Sequence, residues 1–418
     1  MKIKEYPKFE QVVYTTTINN MNIVCIPSDK FNTTSVSLSI DYGATDIEFN
    51  YKGKDYKSNQ GSAHFIEHKV FELEDGNDAF NLLSALGADA NAYTTYDETA
   101  YMFSCSDNLY ESFKIFLNFI LTNTLNDKTI NKEKGIILEE LMMYLDKPHY
   151  VVQEKLMKLM YKDSYIKDSI LGTTESINAC DEASLSLIYD AFYNPKNMTL
   201  NVSGNFDINE LEKFLEEELN KYKFDDYDTK KIYPKEKLTV EKQYEEVKVD
   251  SDVNYVALGI KLNPKINDNY LKNDYIAEVV NFMLFSKSTF KINDLIEKEV
   301  MFNNYSYYTI FNSNYCFTEF IATSDQQDLL IKELKSMILN FKENFIEEDF
   351  ELFKKISYSN FIANLDDLES LCEEVSIAND ENYDYFEKYE TLDKITKEDI
   401  LEFMKDITEE NISIVKSI

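Results

Sequence analysis

Short runs in which hydrophobic and polar residues alternate, many of them β-branched, recur along the first half of the chain. Such runs predict strands, and they lie at 11–16, 21–26, 35–40, 89–92, 99–105 and 197–202. Apolar residues at helical spacing predict core-facing helices at 109–121 and 185–192. The first half therefore combines strands and helices.

The second half repeats this order of elements. The predicted strand, helix and two further strands lie at 254–258, 276–283, 305–310 and 316–322, and long helices follow. Residues 401–415 echo residues 187–202, at an offset of about 214 residues. This weak internal duplication predicts two related domains of the α+β class.

Length and composition agree with two domains. A chain of 418 residues is too long for one ordinary core, and a hydrophobic content of 44% is ample for folded domains. The best linker candidate is the polar stretch 225–231, which is followed by Pro234. We therefore predict domains at 1–225 and 235–418.

The charge balance is strongly acidic, with 43 basic residues, all of them lysine, against 76 acidic residues and a net charge of -33. The acids are spread along the chain, whereas nucleic-acid binding requires clustered basic charge, so no nucleic-acid partner is expected. The acidity is compatible with a cavity that attracts basic peptides. A biased composition that keeps the chain soluble is the simpler explanation.

The 5 cysteines are scattered and form no C-x-x-C pair, which argues against a disulfide framework and a cysteine metal site. We expect buried free thiols in a reducing compartment. The first residues lack the apolar core of a signal peptide, and no apolar run approaches the roughly 18 residues of a membrane span. The sequence thus predicts a cytoplasmic protein without a membrane span.

Two of the 3 histidines, His64 and His68, stand four residues apart. On a helix they share one face with Glu67. The residues turned toward a core would be Ala63, Ile66 and Val70. Two imidazoles one turn apart can bind one Zn²⁺, and the carboxylate can act as a base, as in the inverted zinc-peptidase pattern H-x-x-E-H. The alternative is two unrelated histidines on a solvated face. The third, His149, is interpreted as structural.

A catalytic zinc needs a third protein ligand, and the stretch 132–142 offers one. Glu133 and Glu140 lie seven residues apart, two helical turns along one face, while Ile137 and Leu141 point to the buried side. Read alone, this stretch is an ordinary amphipathic helix.

Together the two stretches resemble the pitrilysin family of zinc peptidases. In that family the inverted motif is followed by a glutamate ligand in a run like E-R-G-V-I-L-R-E, which residues 133–140 match. The resemblance implies that His64, His68 and Glu140 hold one Zn²⁺. Glu139 is an alternative ligand, but helical geometry turns it about 100° away from Glu140.

The resemblance also implies roles for two further glutamates and a fold. Glu67 would be the general base that takes a proton from the attacking water, and Glu133 would orient a zinc ligand. Each of the two domains would be a mainly antiparallel sheet with helices packed on one side.

Between the two motifs lies a run that resembles the N-A-x-T strand of the family. It consists of Asn91, Ala92, Tyr93 and Thr94. In the family this strand pairs with the backbone of the substrate, a form of β-addition that reads backbone more than side chains. The four residues are therefore candidates for substrate binding.

One feature of the family is missing from the second half. Active members carry an arginine and a tyrosine in a pattern like L-R-x-x-x-x-L-x-Y, and the nearest match here is the stretch 295–303. Ile296 stands in place of the arginine and Asn303 in place of the tyrosine. A shifted alignment makes Tyr305 or Tyr307 available, but no shift produces an arginine.

Three classes of function stay open. The first is a zinc endopeptidase that cleaves short or unfolded peptides in an enclosed chamber, for example in leader removal from a bacterial peptide. The second is a non-catalytic structural or binding subunit of the same fold, against which the intact H-x-x-E-H motif speaks. The third is a different zinc hydrolase or lyase on a related fold, against which the N-A-x-T strand speaks.

The resemblance further implies a partner chain. The catalytic chamber of the family is closed by four such domains, whereas 418 residues supply two. A homologous subunit that lacks the zinc motif but carries the arginine and tyrosine would complete a heterodimer. The alternative is a homodimer in which Lys298 or a tyrosine takes the place of the arginine.

Overall fold

The computed structural model describes residues 1–73, 76–224, 227–264 and 269–418. The strands are β1 Lys2–Tyr6, β2 Gln11–Ile18, β3 Met21–Pro27, β4 Thr34–Ile40, β5 Glu48–Tyr51, β6 Lys54–Lys57, β7 Asp89–Thr94, β8 Thr99–Cys105, β9 Met198–Gly204, β10 Lys230–Ile232, β11 Tyr244–Val247, β12 Tyr255–Leu262, β13 Tyr305–Phe311, β14 Cys316–Thr323 and β15 Ile412–Ser417. The helices are α1 Ser62–Val70, α2 Ala79–Ala85, α3 Leu109–Leu121, α4 Asp127–Leu145, α5 Pro148–Met160, α6 Thr174–Ala179, α7 Glu182–Phe192, α8 Ile208–Leu219, α9 Tyr270–Phe285, α10 Phe290–Glu297, α11 Gln327–Leu339, α12 Glu347–Asn364, α13 Leu368–Asp380, α14 Lys388–Asp393 and α15 Lys397–Met404.

The chain forms two compact units, each built from more than one segment of the sequence. Unit 1 consists of Met1–Leu141, Ser169–Tyr233 and Ala363–Tyr385. Unit 2 consists of Met142–Asp168, Pro234–Ile362 and Phe386–Ile418. Each half of the sequence thus gives one helical segment to the unit formed mainly by the other half. The domain limits 1–225 and 235–418 stay a prediction.

Unit 1 is built on a seven-stranded sheet with the order β1-β2-β3-β9-β4-β8-β7. Its neighbouring strands run antiparallel, except that β3 and β9 are parallel. One face of the sheet carries the hydrophobic core, where residues such as Leu38 and Leu200 are fully buried beside Ile66 of α1 and Phe116 of α3. Alternation along β4 and β9 produces this face, because every second side chain points the same way.

The opposite face of this sheet carries α13. The thiol of Cys372 lies 3.5 Å from the carbonyl oxygen of Val24 in β3. Glu373 hydrogen-bonds Ser37 of β4, a residue on the face opposite to the core. The polar residues that alternate with the core positions are therefore buried too, which explains why Asn201 is only 5% exposed.

The last residues of the segment 227–233 belong to unit 1 and form a strand there. Lys230–Ile232 forms β10, which pairs antiparallel with β5 in a small sheet of order β10-β5-β6. The predicted linker 225–231 is therefore wrong at its end, since pairing with β5 satisfies its backbone. Asp225 and Asp226, which were also assigned to the linker, lie outside the described residues.

A buried ion pair holds the same segment. Asp46 is 1% exposed and accepts hydrogen bonds from the Gly43 amide at 2.8 Å and the Tyr233 hydroxyl at 2.7 Å. Its carboxylate lies 2.9 Å from the Lys231 ammonium. Burial is the largest influence on the Asp46 carboxyl and raises its pKa to about 6, in spite of these partners.

This raised pKa leads to a stability prediction. The unfolded chain loses the Asp46 proton near its ordinary pKa of about 4, whereas the folded chain keeps it to about 6. The folded state binds more protons in this window, so the free energy of unfolding falls as pH rises from about 4 to 6. In Asp46→Asn this contribution, about 3 kcal/mol, should be absent. Denaturant unfolding at several pH values measures it.

The control for this prediction is Asp41→Asn, which removes the other carboxylate at Lys231 but keeps Asp46. Asp41 is largely exposed, so this variant should keep the wild-type pH dependence. Parallel stability curves for wild type and Asp46→Asn between pH 4 and 6 would show that Asp46 does not titrate there.

Unit 2 is built on a five-stranded sheet with the order β11-β15-β12-β14-β13, in which β11 and β15 alone are parallel. Helix α9 contacts β13 and β14, and α11 contacts β12. Helix α5 contacts β12 and β15, where it comes so close that a Cβ on Gly259 would lie 2.2 Å from the sulfur of Met160. Any larger residue at 259 would force the side chain of Met160 to move.

The α+β class with two domains is confirmed, and so are most predicted strands. The expectation of helices on one side of each sheet is wrong for unit 1, because α13 covers the face opposite to the hydrophobic core. The predicted strands at 35–40 and 99–105 correspond to β4 and β8, and the echo near the end of the chain corresponds to β15. The five cysteines are all free and buried. Among the described helices, none is long and apolar enough to cross a membrane.

Candidate metal centre

Helix α1 begins at a position that only glycine can occupy. Gly61 caps the helix with φ +80, in the left-handed region that disfavours side chains. A Cβ there would also lie 2.7 Å from the carbonyl oxygen of Leu171 and 2.8 Å from Ile177. The start of α1, three residues before the first histidine, is thereby fixed against the chain at 171–177.

The two sides of α1 have the predicted roles. Ala63, Ile66 and Val70 are buried in the hydrophobic core of unit 1. His64 is 7% exposed and Glu67 is 8% exposed, so both polar side chains are enclosed rather than solvated. The burial of His64 and Glu67 argues against the alternative of two histidines on a solvated helix face.

Helix α4 brings the second motif to α1. Ile137 and Leu141 are buried and anchor the helix, as the spacing predicts. Glu133 and Glu140 are partly buried, whereas Glu139 is exposed to solvent. The turn of the helix thus gives Glu139 and Glu140 different exposure to solvent.

Three side chains converge between the two helices. The carboxylate oxygen Oε2 of Glu140 lies 3.5 Å from Nε2 of His64 and 3.4 Å from Nε2 of His68. In the part of the chain that the structure describes, these residues form the one group of three ligand side chains close enough to hold a metal.

The spacing of these atoms fits zinc. Zinc ligands at about 2.0–2.1 Å in a tetrahedron lie roughly 3.3–3.4 Å apart, close to the separations of 3.4 and 3.5 Å seen here. Two neutral imidazoles and one carboxylate are the donor set of catalytic zinc sites, with a fourth position left for water or substrate. The residues present therefore fit one Zn²⁺.

Glu133 fixes the orientation of one imidazole. Nδ1 of His68 lies 3.2 Å from Oε1 of Glu133. A carboxylate can only accept, so Nδ1–H donates and the Nε2 lone pair is directed toward Glu140 and His64. The resemblance had implied such a role for Glu133, and the contact is compatible with it.

This contact predicts a moderate effect on metal affinity. Glu133→Gln keeps the shape of the side chain but weakens the acceptor at His68. Zinc affinity should fall about 10–100-fold, the usual effect of losing such a supporting carboxylate. Competition with a chromogenic chelator measures this affinity.

The matched control for Glu133→Gln is Glu139→Gln, on the same helix but exposed to solvent. It should leave zinc affinity unchanged. Equal affinities for Glu133→Gln and wild type would mean that the contact with His68 does not support metal binding.

The electrostatic environment differs between the ligands. Burial, and then the neighbouring His68, lowers the pKa of His64 to about 3, so His64 is a neutral donor at physiological pH. Burial acts against protonation of His68, but the carboxylates of Glu133, Glu67 and Glu140 outweigh it and raise its pKa. Burial raises the pKa of the Glu67 carboxyl, which is the direction that favours a general base.

Glu67 has a partner that sequence reasoning did not assign. The Thr94 hydroxyl donates a hydrogen bond of 2.6 Å to Oε2 of Glu67. Thr94 was predicted only as a residue that binds substrate, yet it ends β7 and contacts Glu67. The sequence contained one signal for this contact. Thr94 ends the N-A-x-T run, and alternation along β7 places its side chain on the same face of the strand as Ala90 and Ala92.

The N-A-x-T residues occupy an edge strand. β7 is the last strand in its sheet and pairs with β8 on one side. Asn91 and Tyr93 are exposed, and the Asn91 side chain accepts from the Ala92 amide at 2.9 Å. The Tyr93 hydroxyl donates to Glu98 at 3.1 Å. Substrate binding by these residues stays a prediction.

The stretch 295–303 lacks the arginine and the tyrosine of the family pattern. Ile296 lies in α10 and Asn303 follows the helix on an exposed segment. Lys298, a replacement considered for the arginine, forms a surface ion pair of 2.7 Å with Asp294 one turn earlier. His149 lies in unit 2, at the start of α5.

The mainly antiparallel sheets and the candidate zinc site together indicate a class of protein, the zinc peptidases with the inverted motif H-x-x-E-H. Family comparison agrees. Residues 23–174 match Insulinase (Peptidase family M16), and residues 181–357 match the Peptidase M16 inactive domain. The chain belongs to peptidase family M16, the insulinase or pitrilysin family.

Individual relatives support this assignment. The uncharacterized zinc protease YmfH of Bacillus subtilis (strain 168) is 29% identical over 402 residues, which cover 95% of this chain and 94% of YmfH. An M16-like peptidase from Alicyclobacillus acidocaldarius superposes with a TM-score of 0.92 at 25% identity, over 99% of both chains. Zn²⁺ is accordingly the cofactor, and the names of these relatives support a peptidase.

A longer relative shows the same fold. The periplasmic protease PqqL from Escherichia coli superposes with a TM-score of 0.75 at 18% identity. The match covers 100% of this chain but 48% of PqqL. The chain therefore spans about half the length of that protease.

Proposed function

We propose that this chain is the zinc-binding, catalytic subunit of an endopeptidase that cleaves short or unfolded peptides. The observation that carries the proposal is the convergence of His64, His68 and Glu140, with the enclosed carboxylate of Glu67 on the same helix as the histidines. A non-catalytic subunit of this fold would have no need for all four side chains.

Each residue has a role that its geometry supports. Nε2 of both histidines and Oε2 of Glu140 would hold the zinc, which supplies Lewis-acid chemistry to the scissile carbonyl and to water. Glu67 takes the proton of the attacking water and passes it to the leaving amine. Thr94 holds the Glu67 carboxylate in place through its hydrogen bond of 2.6 Å.

The substrate would bind as an added strand. β7 has an edge without a paired strand among the described residues, and it ends at Thr94, which contacts Glu67. A peptide that pairs with β7 would therefore extend toward the base. Because such pairing uses the backbone, it suits extended peptides of varied sequence, including the leader segment of a bacterial peptide that requires maturation.

We further propose that the active form contains a homologous partner chain without the zinc motif. Ile296 and Asn303 stand where the family pattern has arginine and tyrosine, and Lys298 is engaged with Asp294. PqqL is about twice as long as this chain, which covers 48% of it, so that protease contains a further region of similar length in one chain. A partner that carries the arginine would supply a donor whose loss typically lowers turnover about 10²–10³-fold.

The deciding experiment measures both activity and assembly. The purified chain is assayed on a quenched fluorescent peptide library, alone and mixed with a homologue encoded nearby, and zinc is determined by elemental analysis. Cleavage that rises on mixing supports both proposals. Full activity of the chain alone, as a homodimer, overturns the partner proposal but not the peptidase. Zinc binding without cleavage in any mixture overturns the peptidase.

The five buried free cysteines support a reducing, cytoplasmic location, which we include in the proposal. Fractionation of cells that produce the protein tests it. Recovery in an extracytoplasmic fraction would contradict it.

A further inference from the structure

Unit 2 contains a pocket of about 430 Å³ between α5 and the strands β13 and β14. Its lining includes His149, Gln153, Ser306, Tyr308, Glu319 and Ile321. None of these residues belongs to the metal centre of unit 1. The pocket has a polar floor and partly apolar walls, and its rim carries the exposed residues His149 and Ser306.

The floor of the pocket is a buried carboxyl group. Glu319 is 1% exposed, although strand positions of this kind are normally apolar. The side chains of Tyr308 and Gln153 hydrogen-bond its carboxyl, and Nε2 of Gln153 donates to the Tyr308 hydroxyl at 2.8 Å. The other carboxyl oxygen, Oε2, has no hydrogen-bond partner among the described residues.

Among the described residues, Glu319 has no lysine partner. Burial raises the pKa of Glu319 to about 7, and the groups that oppose this rise are Tyr308 and Gln153. No lysine of the described chain is among them. A buried carboxyl without a counter-charge and with an unsatisfied oxygen is costly to keep in a fold. Such a group is explained when a ligand provides the missing charge and hydrogen bond.

We propose that this pocket binds an organic cation, the ammonium or guanidinium group at the end of an aliphatic stem. The cation would donate to Oε2 of Glu319, and its stem would lie against Ile321 and the rings of Tyr308 and Tyr255, which also line the pocket. Aromatic rings add cation–π attraction. A metal ion fits less well, because the described residues offer a group of three metal ligands only at α1 and α4.

The ligand could be a basic side chain of a peptide or a free amine, and the same chemistry recognises both. The overall charge of -33 favours the approach of either. The pocket shares no residue with the metal centre, so zinc binding and cation binding are measured separately and each proposal can fail without the other.

The test is calorimetric titration of the full-length chain with small probes. N-acetyl-lysinamide, N-acetyl-argininamide and cadaverine should bind, whereas the neutral N-acetyl-norleucinamide, which has the lysine stem without its charge, should bind at least about tenfold more weakly. A preference for the amides over cadaverine indicates a peptide side chain, and the reverse indicates a free amine. Equal binding of the charged probes and the norleucine amide would overturn the proposal.

Two variants locate the site. Glu319→Gln keeps the shape of the floor and removes its charge, so affinity for the charged probes should fall at least about tenfold. Glu154→Gln, on the same helix as Gln153 but paired with Lys158, should bind as wild type does. Unchanged affinity in a folded Glu319→Gln variant would overturn the assignment. If that variant does not fold, Ser306→Trp is tested instead. An indole on the exposed rim should block entry of the probes into the pocket. Binding of the charged probes at wild-type affinity in this variant would overturn the proposal.

Discussion

Replacing Glu67 with glutamine is expected to abolish most peptide hydrolysis while leaving zinc in place. Glutamine keeps the size of the side chain and its bond to Thr94, but it cannot take a proton from water. Hydrolysis should fall at least about 10²–10⁴-fold, the usual contribution of general-base catalysis. Because Glu67 is not one of the three converging ligands, zinc should stay stoichiometric.

The measurement pairs initial rates on a quenched fluorescent peptide with elemental analysis of the same sample. Glu139→Gln is the matched control, since this exposed glutamate on α4 contributes no ligand. It should retain both activity and zinc. A Glu67→Gln variant that cleaves at nearly the wild-type rate would show that another group is the base.

The second large effect is expected at the metal. His68→Ala removes one of three converging donors and also leaves Glu133 without its hydrogen-bond partner. Two remaining donors do not hold zinc at the affinity of three, so stoichiometric zinc should be lost from the purified protein, and hydrolysis with it. Helix α1 should stay folded, because its core face is formed by Ala63, Ile66 and Val70.

His149→Ala is the control for this loss, because it removes the histidine that lies in unit 2. That variant should retain full zinc. Circular dichroism of both variants separates loss of metal from loss of fold. Full zinc in a folded His68→Ala protein would contradict the ligand assignment, whatever its activity.

The contacts within the candidate metal centre show which features the local sequence pattern can predict. Spacing placed His64, Glu67 and His68 on one helical face and turned Glu139 away from Glu140, because a helix repeats every 3.6 residues wherever it forms. The pattern could not show that Thr94 reaches Glu67. That contact depends on where β7 lies beside α1, which is a property of the packed unit.

Long-range pairing explains what the sequence pattern missed in the fold. Lys230 and Lys231 were predicted to be part of a polar linker, but they lie in β10, which pairs with β5. The ammonium of Lys231 also lies 2.9 Å from the carboxylate of Asp46. Helix α5 was not predicted from the sequence. In the structure Pro148 begins α5, as proline favours the first helical turn.

The sequence by itself determined the α+β class, most of the central strands, the core-facing residues of α1 and α4, and the residue types of a zinc site. These features follow from local periodicity, which each stretch of chain expresses on its own. Only the tertiary structure decided that α13 covers the sheet of unit 1 and that α5 covers the sheet of unit 2. It also decided that Glu319 is a buried carboxyl with no lysine partner among the described residues. These features arise because segments far apart in the chain meet, and no local pattern specifies which distant surface a helix or a strand will cover.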